Sequence, residues 1–586
     1  MPVSILEIYP FPVLRISLHP SRKAISVGDQ IVAAEKPPVG RQTRNVALGG
    51  IWRRGENLFS LFQNSSLFVA EKLNIMGKIY SAEEKSVATL SKSKTFSVVL
   101  LFSLVLSLSL SFKVGAQSDD FILEAEQHWP DTYGCGGTCI HGGHNLAVAD
   151  VDGDGVKEMI SGGYSYSYSV DGSRTSRWAP LKIWTWNGKN ITLEKSHSWT
   201  GNINCLFAED VDGDGRTEII TAGRTDSDSG NSTSLQIWSW NGETLELRAT
   251  SNELNFSFAA IGAYWGEKAG IVTVGRSFDG TKTVRHLSIW EFDGTDLALI
   301  RDMVDDGENA VANSVCAYDL DDDGVSEIIT AGYANILTNS TGQLSVWQWN
   351  DNSFSLIETA EWRMTDGYGL DSAGGVQGNT LVSSVRVADV DSDGLPEIVT
   401  GGFTFDGTKI RGQLRIWNWS GQVLDLENSH EWTNLDITAT TSISIEDVDG
   451  DGKKEIATSG YTAGYGSFAL DAEDKSRAEL RVWDWDGSSL TLEQSRDWIV
   501  ETSVSAWNVG SGDLDNDGVV EMVTVGCMQT IDLLDCDPDM RLWSLSSTSS
   551  ATPFLPIAAI AMAAVVGTVA AFMFLRSKAR KTSTVE

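Results

Sequence analysis

Asp210-Val211-Asp212-Gly213-Asp214-Gly215-Arg216-Thr217-Glu218 is the stretch that decides how this chain folds. Four carboxylates fall within nine residues. Crowded acids repel unless a cation sits among them, and the Gly at the sixth place allows the sharp turn that gathers them around one point. The spacing D-x-D-x-D-G-x-x-E recurs at 150–158, 319–327, 389–397, 447–455 and 513–521. Turns alone do not require four acids in one register. The reading is therefore a calcium loop, and its recurrence places the 586-residue chain among repeat architectures.

Working outward, each loop is followed by a β-branched run such as Glu218-Ile219-Ile220-Thr221, then by Gly and a variable stretch. Next comes an aromatic strand, as in Trp184-x-Trp186, Trp238-x-Trp240, Trp347-x-Trp349, Trp417-x-Trp419 and Trp483-x-Trp485. After an Asn-Gly, Asp-Gly or Ser-Gly turn an alternating strand follows, and it often closes on Trp: Trp199, Trp362, Trp432 or Trp498. Period-2 alternation, Gly-marked turns and β-branched enrichment predict strands, with no helical period inside the repeats. One unit reads as strand, calcium loop and three more strands.

A further unit lacks the acids. Aligning Gly275-Arg276 with Gly223-Arg224 puts Trp290 on Trp238 and Phe292 on Trp240, and sets Gly262, Tyr264, Gly266 and Gly270 where the four acids should stand. First positions then fall at 150, 210, 262, 319, 389, 447 and 513. Four-stranded units of this length are propeller blades rather than solenoid coils. The last unit stops after Leu542-Trp543-Ser544-Leu545 without a closing strand, and an orphan of the closing type, Phe121 to Trp129, precedes the first. The fold class expected is all-β: a seven-bladed propeller over 120–545, closed by its N-terminal strand, which leaves no open sheet edge.

The acidic loop followed by a hydrophobic strand and Gly-Gly resembles the FG-GAP (VCBS) repeat of the integrin α-chain propeller and its microbial relatives. The resemblance covers roughly residues 120–545. It implies seven blades, calcium loops lining one face, and ligands approaching the opposite face. The further β-sandwich domains of an integrin leg are missing from the sequence.

A hard cation with oxygen ligands fits Ca²⁺. The expected donors in the six loops are Asp150, Asp152, Asp154, the Val156 carbonyl and Glu158; Asp210, Asp212, Asp214, Arg216 and Glu218; Asp319, Asp321, Asp323, Val325 and Glu327; Asp389, Asp391, Asp393, Leu395 and Glu397; Asp447, Asp449, Asp451, Lys453 and Glu455; and Asp513, Asp515, Asp517, Val519 and Glu521. The Glu is ninth rather than twelfth and strands flank the loop, which excludes an EF-hand. No ligand position is left open and no base accompanies the loops, so about six structural ions are expected. The formal charge of −35 supports this, since six Ca²⁺ would leave −35 + 12 = −23.

The ends suggest export. Phe96–Phe112 is apolar, with Lys85, Lys92 and Lys94 before it and Val114-Gly115-Ala116 after it. That reads as a signal peptide over 76–116, with a first membrane span as the competing reading. Met76 offers an alternative start, leaving 1–75 as either a mis-assigned, untranslated stretch or a prefix of unknown use. Residues 546–553 read as a Ser/Thr stalk. Residues 554–575 are 22 apolar residues without charge, enough for a transmembrane helix, and the basic tail 576–586 places its own side in the cytoplasm. The propeller is then extracellular, on a single-pass membrane protein. Sequons at Asn190, Asn231, Asn255 and Asn339 suit that setting. Cys135/Cys139 and Cys527/Cys536 are the candidate disulfides, while Cys205 and Cys316 read as buried apolar residues. Cys135, Cys139, His141 and His144 also have the residue types of a zinc site, in a spacing that matches no common module.

On the face opposite the loops, His141 and His144 are placed in a Gly-rich connection, and Tyr164, Tyr166, Tyr168 and Trp178 in a long loop of the first unit. Tyr461, Tyr465 and Phe468 take the same place in the sixth unit, and Tyr368 lies in an insertion at 366–380. Tyr-rich, Gly- and Ser-rich loops have the composition of binding surfaces. The Trp pairs share a sheet face and recur, so they read as packing between blades rather than sugar stacking. The expected function is a surface adhesion or recognition protein for a protein or glycan ligand. The alternative is a polysaccharide-acting lyase or hydrolase, and a third is a scaffold subunit of another membrane protein. No nucleophile motif is present, and the ring carries no basic patch that would suit nucleic acid.

Overall fold

A computed structural model describes residues 121–545 except 130–138, 169–173, 228–229, 252–253, 255, 266–268, 280, 306–309, 335–339, 351–352, 364–378, 465–474, 500–502 and 530–535. The chain divides into Met1–Gln117 and Ser118–Glu586. The prefix, the signal segment, the stalk, the apolar stretch 554–575 and the basic tail all lie outside the described residues. Among the described residues no helix is long and apolar enough to cross a membrane.

The described residues form 27 strands. β1 is Phe121–His128. Unit one comprises β2 (Cys139–Ala149), β3 (Glu158–Tyr168), β4 (Arg174–Trp186) and the first half of β5 (Ile191–Glu209). The rest of β5 begins unit two and continues with β6 (Glu218–Ser227), β7 (Gly230–Trp240) and β8 (Leu245–Thr250). Unit three is β9 (Ser257–Trp265), β10 (Ala269–Phe278), β11 (Thr283–Phe292) and β12 (Leu297–Asp305). Unit four is β13 (Val311–Tyr318), β14 (Glu327–Ala334), β15 (Thr341–Asn350) and β16 (Ser353–Trp362). Unit five is β17 (Thr380–Ala388), β18 (Glu397–Phe405), β19 (Ile410–Trp419) and β20 (Leu424–Trp432). Unit six is β21 (Ile437–Glu446), β22 (Glu455–Ala463), β23 (Arg477–Trp485) and β24 (Leu490–Trp498). Unit seven is β25 (Ser503–Gly512), β26 (Glu521–Gln529), β27 (Cys536–Leu545) and β1, which pairs antiparallel with β27 from Phe121↔Leu545 to His128↔Asp539.

The first strands form a closed circuit of neighbours. β2 packs on β5, β5 on β9, β9 on β13, β13 on β17, β17 on β21, β21 on β25, and β25 on β2 again. This is a propeller-like arrangement of antiparallel sheets. Each outer strand, β1 included, shifts register beside the repeated Trp of the strand it pairs with, as between Ile183 and Trp184. Such bulges blunt an outer edge against pairing with another chain.

The repeated Trp has a double task. A buried indole N–H needs an acceptor. Trp184 donates to Ser161 Oγ at 2.9 Å, and Trp238, Trp290, Trp347, Trp417, Trp483 and Trp543 donate to Thr221, Thr273, Thr330, Thr400, Thr458 and Thr524 at 3.0–3.1 Å. In six of these pairs the acceptor lies three residues after the loop Glu, which explains the polar residue inside runs such as Glu218-Ile219-Ile220-Thr221. The faces of these rings fill the seams between units. Trp129 meets Trp184 at 4.7 Å, Trp199 meets Trp238 at 5.3 Å, Trp362 meets Trp417 at 5.0 Å, Trp432 meets Trp483 at 4.9 Å and Trp498 meets Trp543 at 5.0 Å. Arg415, Arg481 and Arg541 lie over the closing Trp362, Trp432 and Trp498 at 5.2–5.6 Å. Packing between units is thus what the Trp side chains do.

The unit without acids differs from its sequence alignment. β9 and β10 pair as far as Trp265↔Ala269, with only residues 266–268 between them, whereas 210–217 separate Glu209 from Glu218. Gly262, Tyr264 and Gly270 lie in strands, and Gly266 is outside the described residues. The loop has been shortened rather than merely stripped of ligands.

Candidate metal centres

Each acidic loop is folded by its own carboxylates. Asp150 accepts the Gly153 N–H at 2.7 Å and the Gly155 N–H at 2.9 Å, one on each oxygen. Asp152 accepts the Asp154 N–H, and Asp154 accepts the Val156 N–H at 2.8 Å. Glu158 Oε2 accepts the Val151 N–H at 3.0 Å, which leaves Oε1 free of that bond. Loop 210–218 repeats these bonds at 2.7–3.1 Å. The sixth residue is Gly in every loop with φ between +87° and +93°, a region that side-chain-bearing residues rarely adopt. The fourth residue is also left-handed. It is Gly153, Gly213 or Gly450 in three loops, and Asp322, Ser392 or Asn516 in the others, at φ 59–64°. Val151, Val211, Leu320, Val390, Val448 and Leu514, the second residues, are buried and pin each loop to the core.

With those bonds made, carboxylate oxygens converge. Asp150, Asp152 and Glu158 each place one within 4.8 Å of the others, as do Asp210/Asp212/Glu218, Asp319/Asp321/Glu327, Asp389/Asp391/Glu397 and Asp447/Asp449/Asp451/Glu455. One more such group is present among the described residues. In loop 513–521, Asp513 accepts the Asp517 and Gly518 N–H groups, Asp517 accepts the Val519 N–H and Glu521 accepts the Leu514 N–H. The fifth-position acids Asp154, Asp214, Asp323 and Asp393 spend an oxygen on the seventh-residue N–H and stand outside the converging sets. The seventh residues, Val156, Arg216, Val325, Leu395, Lys453 and Val519, all donate that N–H.

The electrostatics call for a cation. Burial, aided by the neighbouring Asp residues, pushes Glu158, Glu218, Glu327, Glu397 and Glu521 up to about 7 and Glu455 to about 8. Burial also raises Asp152, Asp212 and Asp515. These acids hold their protons against one another unless an opposite charge joins them. An all-oxygen set at this spacing suits Ca²⁺.

The loops meet the seams between units. An added Cβ on the turn glycines Gly188, Gly242 and Gly294 would stand 2.6, 3.0 and 3.1 Å from Asp515, Asp152 and Asp212 of the preceding unit, and Gly487 crowds Asp391 in the same way. The corresponding Gly421 meets nothing within 4 Å. Unit four, which follows the shortened loop, has no glycine in its turn at 350–353. At the closing seam Asn516 Nδ2 donates to the Gly155 carbonyl at 3.0 Å, so the last loop holds the first directly.

The residues of the candidate ligand face lie in strands where loops were expected. His141 and His144 lie within β2, not in a connecting loop; Tyr164, Tyr166 and Tyr168 extend β3, and Trp178 lies in β4. The Tyr-Ser-Tyr-Ser-Tyr alternation is itself period-2 and lengthens the hairpin, with Ser165 opposite Trp178. Tyr164 and Trp178 are half-buried. Tyr461 sits in β22 with its ring 5.7 Å from Trp507. Tyr368, Tyr465, Phe468 and Cys135 lie outside the described residues. Cys527 is disulfide-bonded. Cys536 lies opposite Gln529 on the neighbouring strand, two residues from Cys527, and Cys139 opens β2. Cys205 and Cys316 are free thiols, and burial pushes both up, Cys316 to about 12.

One arrangement is absent from the sequence reading. In unit three the imidazole of His286 faces Ser277 Oγ from Nε2 at 2.8 Å and Asp302 Oδ2 from Nδ1 at 2.9 Å, and Ser288 donates to Asp302 Oδ1 at 2.8 Å. Three adjacent strands bring these residues together, so no linear motif announces them. The signal available was positional. Four residues before the first aromatic of the third strand stand Gln413, Glu479 and Asp539 in units five to seven, and His286 in unit three.

No family model and no curated protein matches the chain. Among solved structures it is similar to the exotype rhamnogalacturonan lyase YesX, at 15% sequence identity and a TM-score of 0.34, over 72% of this chain and 76% of that one. At that identity and score the likeness bears no weight for function.

Proposed function

We propose that this chain is a closed seven-bladed propeller of the FG-GAP/VCBS type, loaded with about six structural Ca²⁺ ions, that recognises a protein or glycan outside the cell. The observation that carries the reading is the convergence of three or four carboxylate oxygens in five loops of one register, with one further such group among the described residues. A ring built this way is a rigid platform, and its metal neutralises the acids that would otherwise strain each blade. Calcium loops and third-to-fourth-strand turns share one face, since Gly188, Gly242 and Gly294 approach loop acids. The strand ends that lead into the other connections are the opposite ends, and along the sequence those connections vary most in length. The face opposite the loops is the proposed ligand side.

In this reading 76–116 directs export, 554–575 anchors the chain and the propeller faces outward. The test is a glycan array and a cell-binding assay with the exported chain, run in calcium and in EDTA. Binding that depends on calcium and survives His141→Ala/His144→Ala supports recognition. Absence of binding to every glycan and cell type in the presence of calcium would sink it. Metal stoichiometry by mass spectrometry tests the platform separately.

A further inference from the structure

We infer that Ser277, His286 and Asp302 form an ester-hydrolysing triad on the metal-free third unit, an activity that goes beyond the recognition reading and does not use calcium. The residues lie on one face of three adjacent strands. Ser277 is near the end of β10, His286 in β11 and Asp302 in β12. Register places Gly275 opposite His286 and Ser288 opposite Asp302, so the three side chains cross the sheet diagonally.

The proton positions follow from the partners. A carboxylate only accepts, so the Nδ1 that faces both Asp302 oxygens, at 2.9 and 3.2 Å, carries the hydrogen. In the neutral ring Nε2 then has a lone pair, and it points at Ser277 Oγ 2.8 Å away. That is the tautomer a general base needs, with the acid on the far nitrogen holding it. Asp302 is itself held by Ser288. Phe256 stacks on the imidazole at 4.3 Å and 14°, which fixes its plane.

Comparison with the other units separates this from ordinary seam packing. Gln413, Glu479 and Asp539, at the place of His286, each accept the indole N–H of the preceding unit's closing Trp. Before unit three that partner is Phe256, which has no N–H to donate. The polar group at this position is thereby released from the seam bond, and both its nitrogens engage the Ser and the Asp. Accessibility also fits. His286 is buried at 8% exposure, whereas Ser277 is half-buried near the end of its strand. The base is sheltered, and the residue that carries the nucleophile is the more exposed of the two.

The chemistry balances with an ester and water alone. Ser277 Oγ bonds to the ester carbonyl carbon as its proton passes to His286 Nε2, and the carbonyl π pair moves to oxygen. Collapse breaks the bond to the leaving oxygen, which departs as an alcohol with the proton from Nε2. Water then attacks the acyl-serine, giving its proton to Nε2. The acyl C–O bond to Ser277 breaks and Oγ takes that proton back, releasing the carboxylic acid. The substrate class is a carboxylic ester.

The experiment treats the full chain with a fluorophosphonate probe and maps the labelled residue by mass spectrometry, alongside p-nitrophenyl acetate hydrolysis. The expected result is a single label on Ser277, lost in Ser277→Ala and His286→Gln, with hydrolysis at background in both. Asp302 is a positioning residue, and Asp302→Asn should lower kcat by about 10³–10⁴-fold with KM within about twofold. Because His286 is buried, labelling of the unaltered chain stands as the deciding measurement. An unlabelled Ser277 in the unaltered chain, or equal hydrolysis by Ser277→Ala, overturns the triad. An Asp302→Asn variant with unchanged kcat overturns the role of Asp302.

Discussion

Glu218→Gln isolates the cost of a charge that waits for a metal. Glu218 is 4% exposed and gives Oε2 to the Val211 N–H at 3.1 Å, a bond that Gln keeps through its own oxygen. Burial moves its carboxyl from the ordinary 4.5 to about 7. The sign follows from proton linkage. Between pH 4.5 and 7 the folded chain binds more protons than the unfolded one, so metal-free stability falls as pH rises through that window. At pH 8 the ionised side chain costs about 3 kcal/mol, taking 1.36 kcal/mol for each tenfold change. The neutral Gln escapes this cost. In EDTA at pH 8, Glu218→Gln should therefore raise the free energy of urea unfolding by about 2–3 kcal/mol, the lower end allowing for water at the loop's outer acids. Calcium cancels the difference. A site with Kd of about 10⁻⁴ M at about 10 mM Ca²⁺ stabilises the unaltered chain by about 2.7 kcal/mol, and the variant gains nothing from that loop. The two curves should then agree within about 1 kcal/mol. Equal destabilisation by Glu218→Gln in EDTA and in calcium would refute the reasoning, because the Glu would then be only a hydrogen-bond acceptor.

Metal analysis after exhaustive dialysis against calcium should find about six ions per chain, and EDTA should lower the melting temperature. Gly487→Ala puts a Cβ against Asp391 at φ +79° and should cost roughly 1–3 kcal/mol, with a weaker calcium site in loop 389–397 seen by calorimetry. His128, whose close approach to Asp539 (Nδ1–Oδ1 3.1 Å) raises its pKa above 6.5, ties β1 to β27 as an ion pair. The stability it adds is present below 6.5 and lost as pH rises through the folded value. Hydrogen-exchange protection in β1, taken relative to the intrinsic exchange rate at each pH, should therefore fall across that window, and His128→Gln should remove that fall. Trp483→Ala removes a fully buried ring that fills the seam against Trp432, and should cost about 3–5 kcal/mol in urea unfolding.

The acidic loops were legible because their chemistry is local. Spacing alone placed Asp210, Asp212 and Glu218 around one point, since a nine-residue turn with Gly at the sixth place can reach only so far. The same locality made the Trp pairs readable as packing. It failed where an element's length depends on pairing. The Tyr164 to Tyr168 segment looked like a loop because its residues suit binding surfaces, yet alternation let β3 and β4 zip further. Gly262 and Tyr264 looked like lost ligands because the alignment followed the second strand, while β9 had lengthened into the loop.

What the amino-acid order determined by itself is the repeat, the strand pattern, the cation-ready loops and the orphan strand at 121–129. These depend on neighbours within about ten residues and on a periodicity that needs no partner. What only the tertiary structure decided is which distant residues touch. The seam bonds from Trp362, Trp432 and Trp498, the Asn516 link across the closing junction and the Ser277–His286–Asp302 line each join separate strands or units. Sheet register sets those meetings, and register comes from pairing energy summed along whole strands rather than from any short run of residues.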